Sequence, residues 1–175
     1  MITLEELKEI CPQTKLASLE KFVDALNAAM LEFNIDNPVR EAAFLAQVAH
    51  ESGGFNYVRE IASGDAYEGR VDLGNIYPGD GRKFRGHGLI QITGRSNHHE
   101  CSMALFGDLR LLDNPALLEH PTDAARSAAW FWEDRGLNEI ADKGDFKLIT
   151  KRINGGYNGF SERVAYYERA KEALA

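Results

Sequence analysis

A histidine and a glutamate stand side by side at His50-Glu51, followed at once by Ser52, Gly53 and Gly54. The two glycines predict that a helix stops there. A carboxylate at a helix C-terminus is unexpected, because that end already carries negative partial charge. The field, together with burial, favours the protonated carboxyl, which is the form a general acid needs near neutral pH. Glycines beside it would let a substrate approach the backbone closely. The plain alternative is an exposed glutamate next to a glycine stop. A zinc-protease pair is excluded, since H-E-x-x-H needs histidine at position 54, where glycine stands.

A second acid, Glu60, ends the segment Tyr57-Val58-Arg59-Glu60. The glycine break lets a turned-back loop face Glu60 toward Glu51 across a groove. Two carboxylates flanking a bond are what glycosidases use. Inverting enzymes hold them roughly 6.5–9.5 Å apart to admit a water, and retaining ones about 5–5.5 Å. Glu60 could equally be a surface charge beside Arg59, and Asp65 and Glu68 in the same loop are rival bases.

Gly86-His87-Gly88-Leu89-Ile90-Gln91-Ile92-Thr93-Gly94 lacks the third glycine, the preceding long strand and the following acid of a dinucleotide loop. It reads instead as a strand along a groove floor, with Gln91 and Thr93 on one face and Ile90 and Ile92 on the other. An amide and a hydroxyl pointing together suit a sugar N-acetyl group and a bound water. His98-His99-Glu100-Cys101 contains metal-ligand types, but neighbours on a helix do not share a face. A plain helix with Cys101 buried is expected. Trp130, Phe131 and Trp132 are expected in the core.

These residues need elements to position them. Thr3-Leu4-Glu5-Glu6 reads as a capping box opening a short helix that Pro12 ends. Apolar residues Phe22, Val23, Leu26, Ala29, Met30 and Phe33 predict one helix over about 18–33. Asn37-Pro38 caps the next, which runs to about Glu51. From Phe55 to Gly88 the glycines are frequent and no apolar period survives. A loop that long is usually functional. Helices are expected over 97–106, 121–135 (stopped by Gly136), 145–153 and 161–174, with Asn154-Gly155-Gly156 between the last two. The fold class is therefore mainly α, a single catalytic domain over residues 1–175. Residues of about 55–96 form a small strand-and-loop lobe flanking a groove, and no separate cell-wall-binding domain is expected.

Composition narrows the function. The 175 residues carry 27 acidic and 20 basic side chains, a net charge of −7. That opposes general nucleic-acid binding, and the local run Arg82, Lys83, Arg85 reads as a cleft lining or solvated loop. The two cysteines, Cys11 and Cys101, make no disulfide framework and are expected as free thiols. Residues 1–10 are too charged for the apolar core of a signal peptide, and no run of about 18 apolar residues could span a membrane.

His50-Glu51-Ser52-Gly53-Gly54, Tyr57-Val58-Arg59-Glu60, Arg85 through Asn97, and Ile153-Asn154-Gly155-Gly156 together resemble the family 19 glycoside hydrolases, which comprise chitinases and phage or prophage endolysins. The resemblance runs from about Asn37 to Ala170. Pro38 through Gln47 resembles the endolysin branch, and the disulfide cysteines of the plant chitinases have no counterparts. The resemblance implies a lysozyme-like fold with Glu51 as general acid, Glu60 as general base and Thr93 holding the attacking water. It places His50, Tyr57, Gln91, Asn97 and Asn154 in the substrate groove. It implies inversion, no metal and no cofactor. Two departures stand out: the family usually has arginine where His87 stands and tyrosine where His98 stands.

The expected activity is hydrolysis of the β-1,4 backbone of peptidoglycan. Chitin oligomers are the alternative substrate, and a catalytically inactive glycan-binding module is the remaining one. The protein is expected to be a monomer, with no nucleic-acid partner and no membrane insertion. It would be made in the host cytoplasm without a signal peptide and pass through a holin-type pore to act in the periplasm or cell wall.

Overall fold

A computed structural model describes residues Met1–Ala175. The chain is mainly α, as the apolar periods require. In order come α1 (Leu4–Ile10), α2 (Leu16–Glu20), α3 (Val23–Glu32), α4 (Pro38–Glu51), α5 (Asp80–Lys83), α6 (Arg95–Phe106), α7 (Arg110–Asp113), α8 (Pro121–Asp134), α9 (Leu137–Asp142), α10 (Phe146–Asn154) and α11 (Phe160–Ala173), with 3-10 turns at Asp65–Tyr67, Val71–Leu73 and Pro115–Glu119. No helix is long and apolar enough to cross a membrane.

The capping signals act as read. Thr3 and Glu6 close a reciprocal capping box on α1, and the Asn37 side chain accepts from the Arg40 N–H ahead of Pro38. The single helix expected over 18–33 is instead two. The Phe22 N–H reaches back only to the Leu19 carbonyl (3.0 Å), tightening one turn. The bend turns both Leu19 and Phe22 inward, and Phe22 packs at 6.1 Å from the Phe55 ring.

Helix α4 lies at the centre. Every residue from Glu41 to Ala49 is buried, and Ala42, Ala43, Ala46 and Ala49 keep it slim enough for neighbours on all sides. Its main partner is α11, with α9 and α8 beside it. Past Glu51, Gly53, Gly54 and Phe55 all take positive φ, and the Gly54 N–H closes on Ala49 O (2.7 Å), so the chain reverses within one turn.

Residues 55–88, expected to be irregular, hold only α5 and two 3-10 turns, and polar staples organise them. Buried Asp80 takes two bonds from Arg95 (2.8 and 2.9 Å) and one from the Tyr77 N–H. The Asn75 side chain bridges Tyr67 O and the Arg95 N–H. The strand expected at 89–93 is absent. Gly88 and Gln91 take positive φ, the Gln91 N–H bonds Gly88 O, and the chain doubles back so that His87 and Ile92 pair with each other. Leu89 and Ile90 are both buried, which breaks the two-face alternation, and the only bridges are the isolated Arg59–His87 and His87–Ile92 pairs.

One cluster of 37 buried apolar residues extends from Ile2 to Ala170 and includes Leu89, Ile90 and Ile92, so this loop region is sewn into the helical core. Trp132 anchors it. Its ring meets Phe44 edge-on at 5.5 Å, and its indole N–H donates to Asn138 Oδ1 (2.9 Å). Trp132→Ala should cost about 3–5 kcal/mol in denaturant unfolding, from the cavity and the stranded Asn138 acceptor. A loss under about 1 kcal/mol would show that this anchor has been misread.

Candidate active site

Glu51 occupies the last position of α4, and its partner is a cation that the sequence reading did not foresee. Arg163 on α11, 1% exposed, donates from Nη2 to Glu51 Oε1 (2.6 Å), from Nη1 to Gln47 Oε1 (2.6 Å) and from Nε to Asn158 O (3.1 Å). Gln47 passes its own N–H on to Thr150 Oγ1 on α10 (2.9 Å). The Glu51 side chain is 22% exposed and its Oε2 has no protein donor, so Oε2 is the oxygen left open. His50 Nδ1 meets Glu162 Oε1 at 2.8 Å, and its ring fills the space over Gly159, where a Cβ would collide with it.

Glu60 is held at both oxygens. Tyr67 donates its hydroxyl to Oε1 (2.7 Å) and the Gly86 N–H donates to Oε2 (2.9 Å), while the Glu60 N–H returns to Gly86 O (2.8 Å). The phenol of Tyr67 is pushed up from its ordinary value, first by the bond it gives to Glu60 and then by burial. Glu60 and the half-exposed Tyr57 line an open depression of about 400 Å³. The Tyr57 ring lies over Gly53, where a Cβ would stand 2.7 Å from it.

The rival bases are occupied elsewhere. Arg82 clamps Asp65 with two bonds and holds its carboxyl below the usual range. Glu68 accepts the N–H groups of Gly79 and Gly81, which lower its carboxyl likewise.

Gln91, Thr93 and Asn97 come together, around a second cavity of about 120 Å³. Gln91 donates its amide N–H to Gly88 O, and Asn97 donates its own to Thr93 O. Each amide oxygen is left to accept. The Thr93 hydroxyl donates to Gln91 O (3.0 Å), which leaves its lone pairs to accept from a water. Trp130 and Phe131 complete this wall, half-buried, so of the three aromatics expected in the core only Trp132 is fully inside. Gly86 touches one residue of each cavity: its N–H holds Glu60, and its Cα faces the Gln91 side chain, where a Cβ would lie 2.6 Å from Oε1.

Glu51, His50 and Asn154 line neither depression. Asn154 Oδ1 accepts the Asn158 N–H and closes the α10–α11 loop. The residues that sequence reasoning missed are Arg163, Tyr67 and Gly86. Arg163 alone left a trace, as a charge in the apolar row Phe160, Tyr166, Ala170 of the last helix.

The two unusual histidines touch. His98 Nδ1 faces Gly94 O (2.8 Å), and a carbonyl only accepts, so that nitrogen carries the proton. His98 Nε2 then accepts from His87 Nδ1 (3.1 Å), and His87 Nε2 is left bare, 4.0 Å from Glu119 Oε2. Burial pushes both rings down, His87 to about 4 and His98 to about 3.

The family described as chitinase class I, the family 19 glycoside hydrolases, matches residues 4–143. The chain belongs to glycoside hydrolase family 19. A family 19 domain-containing protein of Haemophilus influenzae is 31% identical, over 82% of this chain and 84% of that one. An endochitinase of Arabidopsis thaliana is 38% identical over 76% of this chain, and the chain spans only 45% of that relative's length. Chitinase C of Streptomyces griseus shares the fold at a TM-score of 0.80 and 23% identity, over 99% of this chain and 76% of that one. The family 19 chain is thus a chitinase-like glycoside hydrolase with the lysozyme-like helical fold.

Two outcomes follow for this family 19 site. Arg163→Met removes the donor to Gln47, Glu51 and the Asn158 carbonyl, and should lower stability by about 3 kcal/mol, seen as a fall of roughly 6–12 °C in Tm. A change under about 2 °C would remove Arg163 from the role given to it. The histidine pair has a pH signature. An unfolded histidine titrates near 6.5, well above either folded value. The unfolded chain therefore takes up protons that the folded chain refuses. The stability these rings contribute is complete above about 6.5 and is lost as pH falls toward 4 and 3. Between about pH 7 and about pH 4.5, His98→Gln should show a shallower fall in Tm than the native chain, and parallel curves would refute this.

Proposed function

We propose that this family 19 hydrolase is a peptidoglycan-degrading endolysin that cuts the β-1,4 glycan backbone with inversion. The observation that carries the reading is the fixed carboxylate of Glu60, oriented by Tyr67 and Gly86 at the wall of an open depression. Glu51 acts as general acid through Oε2 and protonates the glycosidic oxygen as its bond to the anomeric carbon breaks. Glu60 is the general base and takes a proton from the water that attacks the opposite face of the sugar. Thr93 positions that water by accepting from it, and the acceptor oxygens of Gln91 and Asn97 bind N–H and O–H groups of the sugar. Tyr57 lines the groove beside Glu60, while His50 and Asn154 act from outside the two depressions, as ring packing and loop closure.

The peptidoglycan reading draws on the endolysin-like segment 38–47 and on the bacterial family 19 relative. The same reading puts the site of action in the cell wall, reached through a holin-type pore, with the protein working as a monomer. The endochitinase relative favours a second reading, hydrolysis of chitin on the same machinery. The two polymers share the N-acetyl group and differ at the lactyl ether and stem peptide of muramic acid.

Mass spectrometry of digested peptidoglycan tests the reading. The native chain should release fragments with new reducing ends. Glu51→Gln, which keeps an oxygen for Arg163, should lose roughly 10²–10⁴-fold in rate while its unfolding curve stays close to native. Chitin oligomers cut with no peptidoglycan cleavage would select the second reading. A Glu51→Gln chain with native activity would remove Glu51 from the mechanism.

A further inference from the structure

The depression beside Glu60 does not end there. A second hollow of about 270 Å³ continues it, sharing Asn56, Val58 and Glu119 with the first and reaching Lys21 at its far side. Arg59 and Arg85 line the first hollow: Arg59 precedes Glu60 in sequence, and Arg85 precedes Gly86, whose N–H holds Glu60.

The state of these cations is unusual for an acidic chain. Arg40, Arg70, Arg82, Arg95, Arg110 and Arg126 each hold a carboxylate through two hydrogen bonds of 3.1 Å or less. Arg59, 56% exposed, meets only Glu119, and only through Nε at 4.0 Å, so its terminal nitrogens face solvent. Arg85 gives one weak bond to Ala62 O (3.3 Å) and has no carboxylate partner, and neither has Lys21. A guanidinium fork matches a carboxylate, and unpaired forks at a groove wall are free to meet one on a ligand.

We infer that Arg59 and Arg85, with Lys21 beyond them, form a subsite for the carboxylates of the peptidoglycan stem peptide. This rests on the peptidoglycan reading and sharpens it. Chitin is uncharged along its length, whereas every muramic acid carries a lactyl group and an acidic peptide. A glycan strand seated at Glu60 sends that peptide sideways along the groove wall. The cations then select the acidic polymer over the neutral one, at the surface and with strong dependence on salt.

The test compares intact peptidoglycan with the same material stripped of its stems by an amidase, for the native chain and for the double variant Arg59→Gln/Arg85→Gln. The native chain should prefer intact material by roughly tenfold in kcat/KM at low salt, and about 0.5 M salt should erase the preference. The double variant should bring the ratio near one, and Arg59→Lys/Arg85→Lys, which keeps the charge without the fork, should restore only part of it. A measurement on the native chain alone guards against a misfolded variant: free stem tetrapeptide should inhibit, and its fully amidated form should not. A native chain that cuts both preparations equally, or a variant that keeps the native ratio, overturns the subsite and leaves the endolysin reading standing. A native chain that releases no ends from either preparation while cutting chitin oligomers overturns both.

Discussion

A single buried guanidinium organises the large lobe. Arg163 is almost wholly withdrawn from water, and a charge so placed is tolerated only when its donors are matched. Its donors go to Gln47 and Glu51 on α4 and to the Asn158 carbonyl, and Gln47 extends the chain to Thr150 on α10. Three helices are therefore registered by one network. The orientation of Glu51 is part of that network, so packing and the placement of the acid answer to the same requirement. Gly159 and His50 add to it, because the loop before α11 approaches α4 only where a side chain is missing.

The small lobe solves a different problem. With few apolar side chains, it fixes Glu60 through backbone. Residues 58 and 60 bond to residues 88 and 86, and both oxygens of the carboxylate are taken by the same junction and by Tyr67. His87 sits between the two glycines of this junction with its ring locked to His98. The two positions that depart from the family pattern are thus one departure, since they are bonded to each other. An imidazole pair gives the junction a neutral, directional tie, with one proton order imposed by the Gly94 carbonyl.

Much of this was legible in the amino-acid order, and what was not has physical reasons. Caps and glycine stops are local, so the bounds of α1, α4 and α8 follow from a few neighbouring residues. The bend at Phe22 was hidden because it preserves the apolar period on both sides. The strand reading of 89–93 failed because alternation says nothing about a positive φ at Gln91. Glu51, Glu60 and the Gln91–Thr93–Asn97 group carry their chemistry in residue type and were visible. Arg163 lies 112 residues from the carboxylate it holds, so the charge in an apolar row was visible but its partner was not. Gly86 acts through its backbone N–H, and nothing in the residue type says which side chain that N–H holds.

The two thiols have a use outside catalysis. Cys11 and Cys101 are unpaired and fully buried, and burial pushes both up to about 12. A native molecule therefore offers almost no thiolate to an alkylating reagent. One lies at the end of α1, against α11, and the other lies on α6, which packs on α7 and α8. Each becomes modifiable only when the helices around it part, so the chain has a built-in pair of reporters, one for the α1–α11 contact and one for the packing of α6 on α7 and α8.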